Sequence, residues 1–355
     1  MSRSPFKFLD SYQKEDVKSF FGRERETAQL YNAVHASNLV LVYGASGTGK
    51  TSIINCGLGN QFVDSDWYPM FVRRGTDLNA SLDRALAAAL KLEGASTDTP
   101  PTQQIRALYL ENYRPLYLIF DQFEELFILG DRGEQQRFYQ TVRQVLDAGA
   151  SCKMLISIRE EYIAYLSEFE KVVPSLFDNR LRVERLTDAN LARIIIGTAR
   201  AGGIHVTDPP ATASAILENI RDRRTGVDLA NLQVYLDRLW RTDLKRHGTD
   251  SPTTVTFDAE LVRRVGKLEN VISAFLDEEL GGIEASLATR GVAQPQGIPL
   301  EVLFALVTEE GTKRPLDVPS ILDALPGNRA ISEPDVRFCL AELERIRLVR
   351  PLAAG

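Results

Sequence analysis

Apolar residues in the first half of the chain fall into short near-continuous runs. Between the runs they recur every three or four positions. The runs are Asn38–Tyr43 (NLVLVY), Tyr68–Arg73 (YPMFVR), Leu116–Phe120 (LYLIF) and Met154–Ile158 (MLISI), with a weaker alternating stretch at Leu181–Leu186 (LRVERL). Such runs suit strands covered on both faces by helices, and their alternation with amphipathic stretches predicts β/α units around a parallel sheet. Thr187 and Asp188 then cap a predicted helix that places Leu191, Ile194, Ile195 and Thr198 on one stripe and ends at Gly202-Gly203. From about 187 to 265 the pattern stays largely helical, including Asn231–Arg241, with a polar interruption around 247–257.

A third block begins after about residue 270. Leu300–Val307 and Asp335–Ile346 are helix candidates and an extended LVRPL follows. Helix, helix, strand is the order of a winged-helix module, whose last strand returns through a hairpin. The chain reaches Gly355 before such a partner strand, so the domain is expected to continue beyond it. No repeat with a period of about 20–50 residues is visible, which excludes a solenoid or propeller.

Composition narrows the function classes. The 355 residues are 44% hydrophobic and 25% charged, as in ordinary globular proteins, and the length predicts two or three domains. A net charge of −6, from 42 Lys and Arg against 48 Asp and Glu, argues against a coat for nucleic acid or anionic membrane. Cys56, Cys152 and Cys339 are far apart and His35, His205 and His247 are scattered, so neither a disulfide framework nor a zinc hydrolase is expected. With no membrane-length apolar run and no secretion signal in MSRSPFKFLD, the expected location is the cytoplasm.

Gly44-Ala45-Ser46-Gly47-Thr48-Gly49-Lys50-Thr51, followed by Ser52, matches GxxxxGK[ST] between the run NLVLVY and the predicted helix TSIINCGL. Glycines let successive backbone N–H groups turn toward phosphate oxygens, and the helix start adds the positive end of its dipole. In this arrangement Lys50 reaches the β and γ phosphates of ATP or ADP, and the Thr51 hydroxyl binds Mg²⁺.

The run Leu116–Phe120 delivers Asp121 to the sheet edge, where a carboxylate can hold Mg²⁺, often through water. Gln122, Phe123, Glu124 and Glu125 follow. Glu124 is the first candidate to polarise an attacking water and Glu125 the second, while Gln122 stands where many ATPases carry that acid. The simpler alternative is that EELF starts the next helix, whose N-terminus favours acids. Met154–Ile158 brings Arg159 to the same edge as a γ-phosphate sensor or as an ion-pair partner of Glu160, Glu161 or Asp121. Arg180 is a candidate subunit-bridging arginine or a surface salt bridge. Upstream, Phe21, Gly22 and Arg23 precede an amphipathic helix and suit an adenine clasp, with Arg23 turned to phosphate or to packing. The strand candidate Tyr68–Arg73 lies between the two nucleotide motifs, which suits AAA+ and STAND ATPases better than the kinase-like branch.

The combination of PFKFLDSYQKEDVKSFFGRERE, GASGTGKTS, LYLIFDQFEELF, ISIREEY and FDNRLRVERL resembles the bacterial STAND NTPases of the novel-STAND type, relatives of the AAA+ proteins. The resemblance covers nearly the whole chain. It implies an adenine-clasp segment (1–30), a P-loop NTPase core with a parallel sheet and helices on both faces (31–186), a helical bundle (187–268) and a winged helix cut short at the C-terminus (269–355). It also implies a signal-gated switch. ADP holds the closed form; ATP exchange permits homo-oligomerisation and effector activation, in bacterial defence or programmed cell death. By position, Phe21, Gly22 and Arg23 clasp the adenine end, Lys50 and Thr51 take phosphates and Mg²⁺, Asp121 is the Walker B acid, Glu124 the catalytic acid and Arg159 the first sensor. Two departures stand out: Ala230 in GVDLANLQ occupies the place of a usual proline, and the histidine expected after the wing strand falls beyond Gly355. With the PFKF box so near residue 1, a fused sensor or effector is expected after residue 355 or as a separate protein.

The alternative is a DNA-binding AAA+ ATPase of the replication-initiator type, and the third possibility is a scaffold that binds nucleotide without turnover. Residues 301–355 hold seven Lys and Arg against nine Asp and Glu, and DVRFCLAELERI carries Glu342 and Glu344. A DNA-reading helix should be basic, so nucleic acid is not the expected partner.

Overall fold

The computed structural model of the chain describes residues 4–8, 10–91, 99–149, 151–222, 226–247, 255–308, 314–326, 331–346 and 348–349. Two compact units divide it, residues 1–264 and residues 265–354. In the first, α1 (Glu24–Ala36) leads into β1 (Leu39–Gly44), and after the glycine loop α2 starts at Lys50–Ser52. This helix runs on as a π-turn over Ile53–Gly57 and a 3-10 turn over Leu58–Gln61. Next come β2 (Tyr68–Val72), α3 (Leu78–Ala89), α4 (Pro101–Asn112), β3 (Leu116–Phe120), α5 (Glu125–Ile128), α6 (Arg132–Asp147) and β4 (Cys152–Arg159). The sheet closes with α7 (Ser167–Val172) and β5 (Arg180–Arg182).

The five strands are parallel in the order β2-β3-β4-β1-β5. β4 therefore separates the strand before the glycine loop from the strand before Asp121, while β2, which lies between the two motifs in sequence, takes the edge beyond β3. The apolar runs are buried on both faces because their residues divide by parity. Leu39, Leu41, Leu116, Leu118 and Phe120 join one core with α3, α4 and α6; Val40, Val42, Tyr117 and Ile119 join the other with Leu30 and Val34 of α1. The fifth strand corrects the expectation of Leu181–Leu186. Only Arg180–Arg182 pair with β1, after which Val183 donates once to the Tyr43 carbonyl (2.7 Å) and the Glu184 carbonyl accepts from the Arg23 guanidinium (3.0 Å) instead of from a strand.

Continuing in the first unit, α8 (Asp188–Ala201) is capped by Thr187, whose hydroxyl accepts from the Asn190 amide, and buries Leu191, Ile194, Ile195 and Thr198 as the stripe predicts. Then follow β6 (His205–Val206), α9 (Pro209–Ile220), α10 (Leu229–His247), β7 (Thr256–Phe257) and α11 (Ala259–Val265). β6 and β7 form a two-residue parallel pair that the helical pattern does not reveal. The N-terminal segment ties this helical region to the sheet. Phe6 stacks on Phe257 with ring centres 6.1 Å apart, the Lys7 amide donates to Gln233 Oε1 (3.2 Å), and the Tyr12 amide donates to Ser52 Oγ (3.1 Å).

The second unit is helical among the described residues: α12 (Leu268–Thr289), α13 (Ile298–Ala305), α14 (Val318–Ala324) and α15 (Glu333–Arg345). Ile283 and Leu287, Ile298 and Val302, Ile321, and Val336, Cys339 and Leu343 meet in one core. The helices α12 and α14 are additional to the two expected here. Most of the extended LVRPL and everything after it lies outside the described residues. No described helix is long and apolar enough to cross a membrane.

Candidate functional site

The loop between β1 and α2 is built for close approach. Gly47 has φ +74°, and a methyl group there would stand 1.7 Å from Asp228 Oδ2, so only glycine fits. Thr48 is buried and its hydroxyl donates to the Ala45 carbonyl (2.9 Å), fixing the loop from inside. Lys50 Nζ donates to the carbonyls of Gly44 (2.8 Å) and Ala45 (3.1 Å). Burial holds the Lys50 ammonium below its ordinary pKa; the negative charges of Glu124 and Asp121 oppose that shift and Arg159 adds to it.

β3 carries Asp121 to the start of α2, where Thr51 Oγ1 lies 3.1 Å from both carboxylate oxygens. A hydroxyl and a carboxylate side by side are hard oxygen donors of the kind Mg²⁺ takes together with water and phosphate. The donor set thus fits the ion, with Thr51 and Asp121 as the residues that would hold it. The arginine at the end of β2, Arg73, also reaches this carboxylate: its Nη2 is 2.8 Å from Asp121 Oδ2.

Beyond Asp121 the chain turns at Gln122, a non-glycine residue with φ +58°, and the Phe123 amide donates to the Ser157 carbonyl (2.9 Å). Glu124 is 5% exposed and lines the cavity in front of the loop, whereas Glu125 begins α5 and is not part of that wall. Arg159 Nε pairs with Glu124 Oε1 at 2.9 Å, and its own amide donates to Glu124 Oε2 at 3.2 Å. The ion pair therefore goes to Glu124 and not to Glu160, Glu161 or Asp121. Glu160 is instead paired with Arg182. Ser157, 1% exposed, also lines the cavity, and its hydroxyl has no partner among the described residues. A buried hydroxyl without a partner beside the cavity is a group that a bound water would satisfy.

The cavity measures about 250 Å³. Ser46, Gly47, Gly49, Lys50, Thr51 and Ser52 face it at one end; Gly44, Ala45 and Thr48 form the loop behind them. The wall also includes Phe8, Tyr12, Phe20, Phe21, Ile194 and Leu229, an apolar surface suited to a base. Phe21 packs so closely on α8 that a methyl at Gly197 would lie 2.9 Å from its ring. Gly22 turns the chain at φ +79° and is not itself in the wall. Arg23 is buried, and its guanidinium donates to the carbonyls of Thr48 (2.7 Å) and Glu184 (3.0 Å) and pairs with Glu26. It braces the glycine loop, as in the packing alternative for this residue, and also lines the cavity.

Several wall residues escaped the sequence reading. Tyr12, whose phenol is pushed up to about 12 by burial, comes from the N-terminal segment and Ser157 from β4, and Arg73, which is outside the wall, reaches Asp121 from the end of β2. Leu229, Ala230 and Gln233 come from α10. Ala230, noted for its place in GVDLANLQ, lies in the wall, and the Leu229 amide donates to the Gly47 carbonyl at 3.4 Å.

A parallel sheet with β4 inserted between the two motif strands, a glycine loop with its lysine and threonine, and an apposed carboxylate define a P-loop NTPase of the AAA+-like kind. The chain matches the family described as Novel STAND NTPase 1 over residues 5–350 and belongs to it. No curated protein matches it. Among solved structures, the ORC2 protein of Aeropyrum pernix, in ADPNP and ADP complexes, aligns with a TM-score of 0.55 at 14% identity over 92% of this chain and 95% of its own. The ORC1 protein of the same organism, in complex with DNA, gives 0.51 at 16% over 97% and 89%. A Walker-type ATPase of Pyrococcus abyssi gives 0.50 at 15% over 96% and 93%. At these identities the likeness is one of fold.

Proposed function

We propose that this STAND NTPase is a switch that binds ATP or ADP with Mg²⁺ and couples exchange or slow hydrolysis to self-association and effector activation. The observation that carries the reading is the seating of α10 on the phosphate loop. Asp228 stands against Gly47, the Leu229 amide bonds the Gly47 carbonyl at 3.4 Å, and Leu229, Ala230 and Gln233 wall the cavity that Lys50 faces. A nucleotide in that cavity touches both the sheet and the helical region. Any change at its phosphates alters the contact that holds the two together. Only a difference in affinity between two arrangements lets a ligand shift them, and a nucleotide that touches both parts is placed to have one.

In the hydrolytic step Lys50 would neutralise phosphate charge, Thr51 and Asp121 would hold the metal, and Glu124 would orient the attacking water. Bound Mg²⁺ supplies charge neutralisation across the phosphates. The cellular setting proposed is bacterial defence or programmed cell death, with the sensor and effector as fused or separate partners.

Light scattering after size exclusion tests the switch. The chain with ADP is expected to run as a monomer, and Glu124→Gln with ATP as a larger assembly. Identical masses in both states contradict coupling while leaving nucleotide binding intact. The replication-initiator reading is weaker because α15 carries Glu342 and Glu344 beside Arg337 and Arg345, which is not a basic reading surface.

A further inference from the structure

We infer that Gln122 is a further catalytic residue, whose carboxamide holds the attacking water in line with the γ-phosphate while Glu124 takes its proton. The inference rests on the nucleotide reading of the same cavity and adds a group to it.

Gln122 follows Asp121 where β3 gives way to α5. The turn is fixed on both sides: the Gln122 carbonyl accepts from the Glu125 amide at 3.0 Å, and the Phe123 amide donates to the Ser157 carbonyl at 2.9 Å. The Gln122 φ of +58° lies in the left-handed region, where glycine sits freely and a residue with a long side chain is strained. A turn that glycine would make without strain is made here by a glutamine. Residues held in this way cluster at functional sites.

Gln122 is half-buried and lines the nucleotide cavity with Asp121, Glu124, Ser157 and Arg159. The carboxylates of that group are already engaged. Asp121 is held by Thr51 and Arg73, and Glu124 by the guanidinium and the amide of Arg159. The Gln122 carboxamide has no partner among the described residues, and neither has the Ser157 hydroxyl on the adjoining strand. Two unengaged polar groups therefore share one stretch of wall beside the acid that would hold the metal.

A carboxamide carries an acceptor and donors in one plane. Its Oε1 can accept from a water while its Nε2 donates to a phosphate oxygen, which aligns the water with the phosphorus. Being neutral, it does so without adding a third negative charge beside Asp121 and Glu124. The water oxygen forms its bond to the γ-phosphorus as the bond from that phosphorus to the bridging oxygen breaks. ADP leaves, and the water proton passes to Glu124, the proposed base. With both Glu124 oxygens held by Arg159, a separate group is needed to hold the water until that contact opens.

Gln122→Gly tests the assignment, because glycine accepts φ +58° and only the carboxamide is lost. ATP affinity by calorimetry and single-turnover hydrolysis are measured on the full chain, wild type and variant. The variant is expected to bind ATP within about twofold of wild type and to lose turnover by about tenfold or more. Gln122→Glu, which restores the side-chain length and an acceptor, is expected to turn over faster than Gln122→Gly. Unchanged turnover in Gln122→Gly, a fall in ATP affinity that accounts for the loss, or a glutamate variant no faster than the glycine variant overturns the assignment. Wild-type chain that binds ATP without turnover overturns it as well, and leaves nucleotide binding standing. Absence of ATP binding by the wild type removes the nucleotide reading and this inference together.

Discussion

Arg159 holds both oxygens of Glu124: its side-chain Nε lies 2.9 Å from Oε1 and its main-chain amide donates to Oε2 at 3.2 Å. A carboxylate engaged in this way is pinned to the end of β4 and is poorly placed to accept a proton from water. Departure of the Arg159 guanidinium toward a γ-phosphate would free one oxygen, so the sensor and the general base proposed for these two residues would be joined in one contact. The contact gives two groups of Arg159 opposite effects on Glu124: the amide positions it and the guanidinium must let it go.

Glu124→Gln keeps the shape of the side chain and removes its basicity. Turnover should fall by about 10²–10⁴-fold, the usual worth of general-base catalysis, with ATP still bound. Single-turnover hydrolysis and equilibrium binding on the same variant check this. Undiminished turnover, with a loss in Glu125→Gln instead, would move the role to the neighbouring acid.

Arg73 pairs with the carboxylate that would hold the metal. Its Nη2 is 2.8 Å from Oδ2, but the side chain is 42% exposed, and such pairs are worth about 1 kcal/mol or less. Arg73→Ala is therefore expected to lower the Mg²⁺ concentration needed for half-maximal ATP binding by roughly two- to fivefold. A higher Mg²⁺ requirement would show that Arg73 positions the carboxylate for the ion.

Lys50 leaves a signature in the pH dependence of stability. Burial lowers its folded-state pKa below the ordinary 10.5, so between the two values the unfolded chain binds more protons. Its contribution to stability then rises with pH across the window just below 10.5 and is lowest beneath it. The buried thiols of Cys56, Cys152 and Cys339, raised to about 12, act in the opposite sense above about pH 9. Subtracting the profile of Lys50→Met from that of the wild type removes them. Denaturant midpoints between about pH 8 and 11 should give a difference that climbs with pH, and a falling difference contradicts the burial argument.

The parts legible in the sequence are those whose chemistry uses contiguous residues. The glycine loop must present adjacent backbone amides, and Asp121 must follow an apolar strand, so both announce themselves in one stretch. Arg73 reaches Asp121 through the register of β2 on β3, where Val72 pairs with Phe120 and the next residue on each strand falls alongside. No local pattern encodes that pairing. Ser157 enters the wall from β4 in the same manner, and Tyr12 arrives because the N-terminal segment crosses from α2 to α10. The paired strands β6 and β7 have two residues each, too few for an alternation to register. The overextended fifth strand shows the converse. LRVERL alternates convincingly, yet a backbone carbonyl claimed by Arg23 ends its pairing.

The central claim is that a nucleoside triphosphate lies between the phosphate loop and Asp121 with its metal on the Thr51 side. Calorimetric titration of the full chain with ATP and Mg²⁺, run beside Lys50→Ala, tests it most directly. The account predicts one saturable site per chain in the wild type and its loss in the variant. No saturable binding by the wild type, or equal affinity in Lys50→Ala, contradicts it.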